Sequence, residues 1–326
     1  MSEFNIIQQY FTRPTRHTNL GVGDDAALVT VADGMHLVVS TDMSVAGTHF
    51  FHDAAPDDIG WKALAVNISD MAAMGAQAKW ATLAIALPEI NEQWLAEFSR
   101  GFFACADVFN IDLIGGDTTR GPLNISVTIM GEVPMGKALK RGSAQVDDDI
   151  WVSGQIGSAA LGLACLQNKP SQGKIKLEND AMQTSIHALC RPMPRVNLWL
   201  ALSGIATSCI DISDGLLADL GHILKASNCG ATIDLEKIPC IDYLKNDLKN
   251  PQFQEYLLAG GDDYELCFSA PASKRHEIEL LSKQQNILLT CVGRTRMAID
   301  LESVDLQAMY QNKPLSLLKR GFDHFA

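Results

Sequence analysis

The segment Leu113-Ile114-Gly115-Gly116-Asp117-Thr118-Thr119-Arg120-Gly121 constrains this chain more than any other. An apolar run, Ile111 to Ile114, stops at two glycines, and an acid, two hydroxyls and an arginine follow. Beyond it Leu123, Ile125, Val127 and Ile129 alternate with Asn124, Ser126, Thr128 and Met130, the period of a half-buried strand. The pattern predicts Asp117 at the tip of a turn between two extended segments, where glycine lets the backbone close on a ligand. Alone, such a turn reads as a hairpin with a solvated aspartate. It is not alone, because four other acid-rich turns recur along the chain.

The first is Gly21-Val22-Gly23-Asp24-Asp25-Ala26. It matches a dinucleotide fingerprint, but two carboxylates would face the pyrophosphate and no strand clearly precedes it, so that reading is rejected. The second, Ser40-Thr41-Asp42, is expected at the end of a strand over 36–40 and offers three hard oxygen donors. His49 follows within Gly47-Thr48-His49-Phe50. Pro56-Asp57-Asp58 then predicts the start of a helix that is apolar almost all round through Met74 and stops at Gly75. Its exceptions, Asn67 and Asp70, are three apart on one face, and a buried acid there needs a partner. A strand over 80–87 and an amphipathic helix carrying Trp94, Phe98, Phe102 and Cys105 lead to Asp117.

In the second half, strands and helices alternate. A strand over 150–153 precedes Gly154-Gln155-Ile156-Gly157-Ser158, whose glycines open a helix able to cap itself or hold an anion. Residues 168–178 are expected as an exposed loop, with helices near 179–190 and 194–203. Asp211-Ile212-Ser213-Asp214-Gly215 joins a strand to a helix, and Gly260-Gly261-Asp262-Asp263 precedes a strand over 264–269. Asn67–Asp70 before Asp117 echoes Asp211–Asp214 before Asp262, at separations of 47 (70 to 117) and 48 (214 to 262). Gly131 to Lys137 approximates a phosphate-binding loop, but Pro134 interrupts it and Ala138 replaces the metal-binding hydroxyl, so it is set aside.

At 326 residues the chain exceeds one ordinary core. The expected organisation is an N-terminal domain over 1–136, a polar linker over 137–149 carrying Lys137, Lys140 and Arg141, and a C-terminal domain over 150–326. A formal net charge of -12 argues against a nucleic-acid partner. No apolar run reaches the roughly 18 residues that would suggest a membrane span, and the first 20 residues lack a signal-peptide core, so a cytoplasmic protein is expected. The 8 cysteines form no C-x-x-C pair, which suits reduced thiols.

Carboxylates on so many turns repel one another by several kcal/mol at about 4 Å if they converge. Multivalent cations offset this, and all-oxygen donors select magnesium, manganese or calcium. The chemistry implied is phosphoryl transfer by charge neutralisation and positioning.

Gly21–Asp25, Ser40–Asp42, Ala46–Phe50, Ala65–Gly75, Leu113–Pro122, Ile210–Gly215 and Gly321–Phe325 together resemble the bacterial thiamine-monophosphate kinase family. That family lies within the ATP-binding superfamily of aminoimidazole ribonucleotide synthetase and selenophosphate synthetase. The resemblance implies an α/β (α+β) two-domain fold, with N-terminal domains pairing their sheets in a homodimer. It further implies ATP and several Mg2+ ions, with thiamine monophosphate as acceptor. Asp25, Ser40, Thr41, Asp42, Asp70, Asp117, Asp211 and Asp214 correspond to metal ligands. Gly116, Asp117, Arg141 and Ser213 correspond to ATP contacts, and His49, Asp262 and Phe322 to thiamine-phosphate contacts. Asp42, Asp70, Asp117 and Arg141 are the groups expected to act on the transferred phosphoryl. Asp262 stands where the family often has Glu, and Phe322 where it often has Tyr or Trp. Two alternatives stay open: another ATP-dependent enzyme of the superfamily, or a non-catalytic protein binding divalent cations with the same acids.

Overall fold

The computed structural model describes residues 2–167, 179–299, 304–316 and 321–322, so the loop expected at 168–178 lies outside the described residues. The chain divides into two compact units, Met1–Ala72 with Ala76–Ala138, and Ala73–Gly75 with Leu139–Ala326.

The first unit runs α1 (Glu3–Ile6), β1 (Thr18–Leu20), β2 (Leu28–Val29), β3 (Met35–Val45), α2 (Pro56–Ala73), β4 (Gln77–Leu87), α3 (Glu92–Phe109), β5 (Asp112–Arg120) and β6 (Asn124–Pro134). Four strands form one sheet in the order β3-β6-β4-β5. β6 is antiparallel to β3 and β4, while β5 is parallel to β4. Parallel neighbours need a crossover, and α3 supplies it. Asn91 caps its start by accepting the Trp94 N–H, and left-handed Asn110 ends it. Strand alternation sorts the sheet's faces. Leu83, Ile85, Ile125, Val127 and Ile129 are buried on one face, whereas Leu37, Val39 and Met43 lie on the other at 45%, 55% and 55% exposure.

The second unit contains β7 (Asp148–Ser153), α4 (Ser158–Leu166), α5 (Asn179–Cys190), β8 (Ser208–Asp211), α6 (Leu216–Ser227), β9 (Cys229–Asp234), α7 (Asp242–Lys245), α8 (Pro251–Leu258), β10 (Leu266–Pro271), α9 (Arg275–Gln285), β11 (Leu289–Met297), β12 (Leu306–Tyr310) and β13 (Lys313–Pro314). Its sheet has the order β13-β12-β9-β11-β7-β10-β8. Ile150, Val152, Ile210, Leu216, Leu220 and Ile223 belong to the core between this sheet and its helices. All eight cysteines are free thiols, and no helix among the described residues is long and apolar enough to cross a membrane.

Four sequence expectations change here. β3 runs on to Val45, so Asp42 sits inside a strand rather than at its end, because all 11 residues pair with β6. Asp117 likewise lies within β5, which pairs with β4 as far as Arg120. The second glycine of its pair, Gly116 (φ 149°), serves close approach instead of a turn, since a Cβ there would overlap the Leu83 carbonyl. The helix expected at 194–203 is a single 3-10 turn, Val196–Leu198, followed by hydrogen-bonded turns. The strand expected from Tyr264 starts at Leu266, because Asp262 (φ 69°) and Tyr264 (φ 50°) are left-handed and cannot extend a ladder. The internal echo also has no common local structure: Asp70 is in a helix and Asp117 in a strand, whereas Asp214 and Asp262 lie in irregular turns.

Candidate active site

In the first unit, strand period and helix period bring one group of donors together. Ser40 and Asp42 pair with the buried Ile129 and Val127, so they occupy the inner face of the sheet. Asn67 and Asp70 of α2 meet them there. Ser40 Oγ donates to Asp70 Oδ2 at 2.5 Å, the partner that a shielded helix acid requires. β3 is a sheet edge, whose outward N–H groups lack ladder partners. The Asp42 N–H donates instead to Asn67 Oδ1 at 3.2 Å, and Asn67, only 1% exposed, anchors itself by donating to the Ala63 carbonyl.

Thr41 points to the opposite face, where its hydroxyl meets that of Thr128 at 2.9 Å. Asp117 is also on that face, in a cross-strand row with Ala84, Ser126 and Met43. Three interstrand steps separate β3 from β5, about 14 Å. The sheet therefore gathers Ser40, Asp42 and Asp70, and holds Asp117 at its far edge and other face. Asp25 is exposed between β1 and β2, donating its N–H to Asp24 Oδ1. His49 folds back on the end of β3, and the Val45 N–H donates to its Nδ1 at 3.0 Å. That nitrogen is therefore unprotonated, and in the neutral ring the proton is on Nε2.

In the second unit Asp211 and Asp214 flank a turn whose backbone groups at 212–214 are all partnered. From 212 to 215 the N–H groups go to the Glu265 carbonyl and then, three in succession, to one oxygen of Asp219, at 3.1, 3.0 and 3.0 Å from Ser213, Asp214 and Gly215. The carbonyls of Ile212, Ser213 and Asp214 accept from the N–H groups of Tyr264, Asp262 and Phe322. Gly261 permits this approach, because a Cβ there would overlap the Ser213 carbonyl. The turn carrying Asp211, Ser213 and Asp214 is thus tied to the 262–264 segment and to Phe322. Left-handed Asp262 and Tyr264 cost of order 1–3 kcal/mol each, and such strain tends to collect at functional sites. The Tyr264 hydroxyl donates to Asp262 Oδ1 at 3.1 Å.

Three functional-looking groups escaped sequence reasoning. Asp219 is 3% exposed, and burial, with the nearby charges of Asp211 and Asp214, pushes its carboxyl up to about 8. Its signal was present as an acid amid the apolar run Leu216 to Ile223. Asp263 accepts the N–H groups of Gly157 and Ala159 at the start of α4, so a protein carboxylate occupies the helix end that sequence left to capping or an anion. Burial raises its pKa well above the ordinary carboxylate range. Glu265 is held by Ser153 and by the Arg195 guanidinium, a pairing between distant segments that no local pattern reveals.

Arg141 stands apart from Ser213. Its carbonyl accepts from Ser227 at the end of α6, whereas Ser213 precedes the start of that helix. Twelve residues separate the two ends by roughly 18 Å.

The donors present suit a hard cation. They are carboxylates and a hydroxyl, with no thiolate or imidazole among Ser40, Asp42, Asp70, Asp211 and Asp214. Burial first, then the charges of Asp211 and Asp214, raise the Asp219 pKa, and a bound cation would offset the charge of those two acids. Magnesium commonly takes one or two protein carboxylates and completes its shell with water and phosphate.

The family models for the N-terminal and C-terminal domains of AIR synthase related proteins match residues 23–133 and 145–295. The thiamine-monophosphate kinase of Salmonella typhimurium is 43% identical over 99% of this chain and 98% of its own length. The crystal structure of the Stenotrophomonas maltophilia thiamine-monophosphate kinase superposes with a TM-score of 0.81, at 43% identity and 96% coverage of both chains. AaThiL, solved in complex with AMPPCP and TMP, superposes with a TM-score of 0.74 at 28% identity, covering 99% of this chain and 95% of its own.

Proposed function

The chain belongs to the thiamine-monophosphate kinase family, and on that premise we propose that it transfers the γ-phosphoryl group of ATP to thiamine monophosphate, giving ADP and thiamine diphosphate. The observation that carries this reading is the 43% identity with a thiamine-monophosphate kinase across 99% of the chain. The AMPPCP and TMP complex of AaThiL supports ATP and thiamine monophosphate as the two substrates.

In the first unit Ser40, Asp42 and Asp70 would hold Mg2+ on the inner sheet face, with Asp25, Thr41 and Asp117 assigned to further ions; in the second unit Asp211 and Asp214 would hold Mg2+ as well. Bound there, Mg2+ would neutralise the triphosphate and the acceptor phosphate, which otherwise repel. Ser213, Gly116 and Arg141 would contact the nucleotide, with Arg141 and Ser213 on separate parts of it. His49, Asp262 and Phe322 are assigned to the acceptor. The acceptor oxygen belongs to a phosphate monoester whose second pKa is about 6, so it is anionic near neutrality and needs no base. His49 fits this, because its Nδ1 already accepts from the Val45 N–H, which in the neutral ring leaves the proton on Nε2. Asp117 lies on the outer sheet face, opposite to Asp42, and that face also exposes Leu37, Val39 and Met43. We assign that face to a homodimer, which places Asp117 at the edge of the interface. A cytoplasmic location accords with this chemistry.

Mixing the protein with ATP, Mg2+ and thiamine monophosphate tests the activity. Equimolar ADP and thiamine diphosphate are expected, and ADP without thiamine diphosphate would refute the acceptor. For the dimer, light scattering at micromolar concentration should report twice the chain mass for the parent and one chain mass for Met43→Asp. A monomeric parent would sink the assignment.

A further inference from the structure

Asp219 is a buried acid beside the 211–215 turn to which the proposed function gives no task. An ordinary helix cap satisfies one or two N–H groups at the helix start. Asp219 instead reaches back and gathers three consecutive N–H groups on its Oδ2, two of them beyond the capping residue Gly215. On the other side, the turn's carbonyls are held by Asp262, Tyr264 and Phe322. Asp219 is therefore the whole of the donor-side restraint on residues 213–215. A carboxylate is costly at 3% exposure, and here Asp211 and Asp214 add like charge.

We propose that Asp219 is a positioning residue, which fixes the turn carrying Asp211 and Asp214 in the conformation that binds a divalent cation by accepting its three N–H bonds. It does not ligate the cation. The inference rests on the metal assignment of that turn and adds to it the device that holds the ligands. Its chemistry makes a specific demand: what matters is one acceptor oxygen at the Oδ2 position. An amide retains that oxygen, and a methyl group does not.

Amide hydrogen exchange at 213–215 and equilibrium binding of Mn2+, followed by its paramagnetic resonance signal, test this without relying on turnover. Asp219→Ala should speed exchange at these amides and weaken Mn2+ binding by about 10-fold or more, the usual range for loss of an outer-shell support. Asp219→Asn should restore both to within about threefold of the parent on the same scale. Ile223→Ala, a packing loss in the same helix, controls for stability and should leave Mn2+ affinity unchanged. Should Asp219→Ala fail to fold, Asp219→Ser takes its place with the same expectation, since its short hydroxyl cannot span three donors. Asp219→Ala binding Mn2+ like the parent, or Ile223→Ala weakening it equally, would overturn the positioning role. Asp214→Asn separates the two levels. If it weakens Mn2+ binding while Asp219→Ala does not, only the positioning role falls; if Mn2+ binding survives Asp214→Asn, the metal assignment itself falls and the positioning role with it.

Discussion

The two units present their acids by different means. In the first, Ser40, Asp42 and Asp70 are placed by regular structure: alternation along β3 and a three-residue step along α2, joined by one 2.5 Å hydrogen bond. In the second, Asp211 and Asp214 sit where β8 gives way to a turn, whose N–H groups donate to Asp219 and whose carbonyls accept from the N–H groups of Asp262, Tyr264 and Phe322. Regular elements fix a ligand by period, at little cost in strain. Turns have no period, so their geometry must be imposed from outside. One unit therefore places its acids on a sheet face, and the other on a turn tethered by hydrogen bonds from outside.

The largest expected effect tests whether the sheet acids are indispensable. Asp117→Asn should lower kcat by about 100-fold or more while leaving the melting temperature close to the parent, because it removes charge and little packing. Turnover near that of the parent at saturating Mg2+ would remove Asp117 from the essential set. Ser40→Ala should be milder. It deletes the hydroxyl that partners Asp70 and should lower kcat about 10-fold, with a stability loss of about 1 kcal/mol in chemical denaturation. An unchanged kcat would show that helix period alone aims Asp70.

The smallest effect sharpens the contrast through pH. Burial raises the Glu132 pKa in the first unit, but hydrogen bonds from Lys79 and the Ala32 N–H outweigh it and leave the group below the ordinary carboxylate range. Its contribution is thus complete above the unfolded value, about 4.3, and lost as pH falls through the lower folded value. Asp219 has the opposite sign. Its carboxyl is raised to about 8, so its contribution is complete below about 3.9 and lost as pH rises through the folded value. In metal-free buffer, Glu132→Gln should flatten the acid limb of the stability profile and Asp219→Asn the limb between about 4 and 8. Identical profiles for parent and variants would contradict both assignments.

How much of this was legible in the sequence follows the same division. α2 and α3 read directly from apolar spacing and caps, and Asp70 was recognisable as a helix acid in need of a partner. The strand character of Asp42 and Asp117 was not legible, because it comes from pairing with β6 and β4 rather than from local pattern. Glycines beside an acid suggested a turn at Gly116, where the chain uses the missing side chain to bring two strands together. The turn acids Asp211 and Asp214 were found as words, but their restraint was not, since Asp219, Asp262 and Phe322 meet them only in three dimensions. The Glu265–Arg195 pair was hidden for the same reason, its partners being 70 residues apart.

Acceptor choice tests the central claim most directly. At equal ATP and Mg2+, ADP release should be rapid with thiamine monophosphate and at least about 100-fold slower with thiamine, whose alcohol would need a general base. His49 does not supply one in this arrangement, because Nδ1 accepts from Val45 and Nε2 carries the proton. Equal rates with the two acceptors would contradict the account, showing that the acceptor phosphate is not the nucleophile.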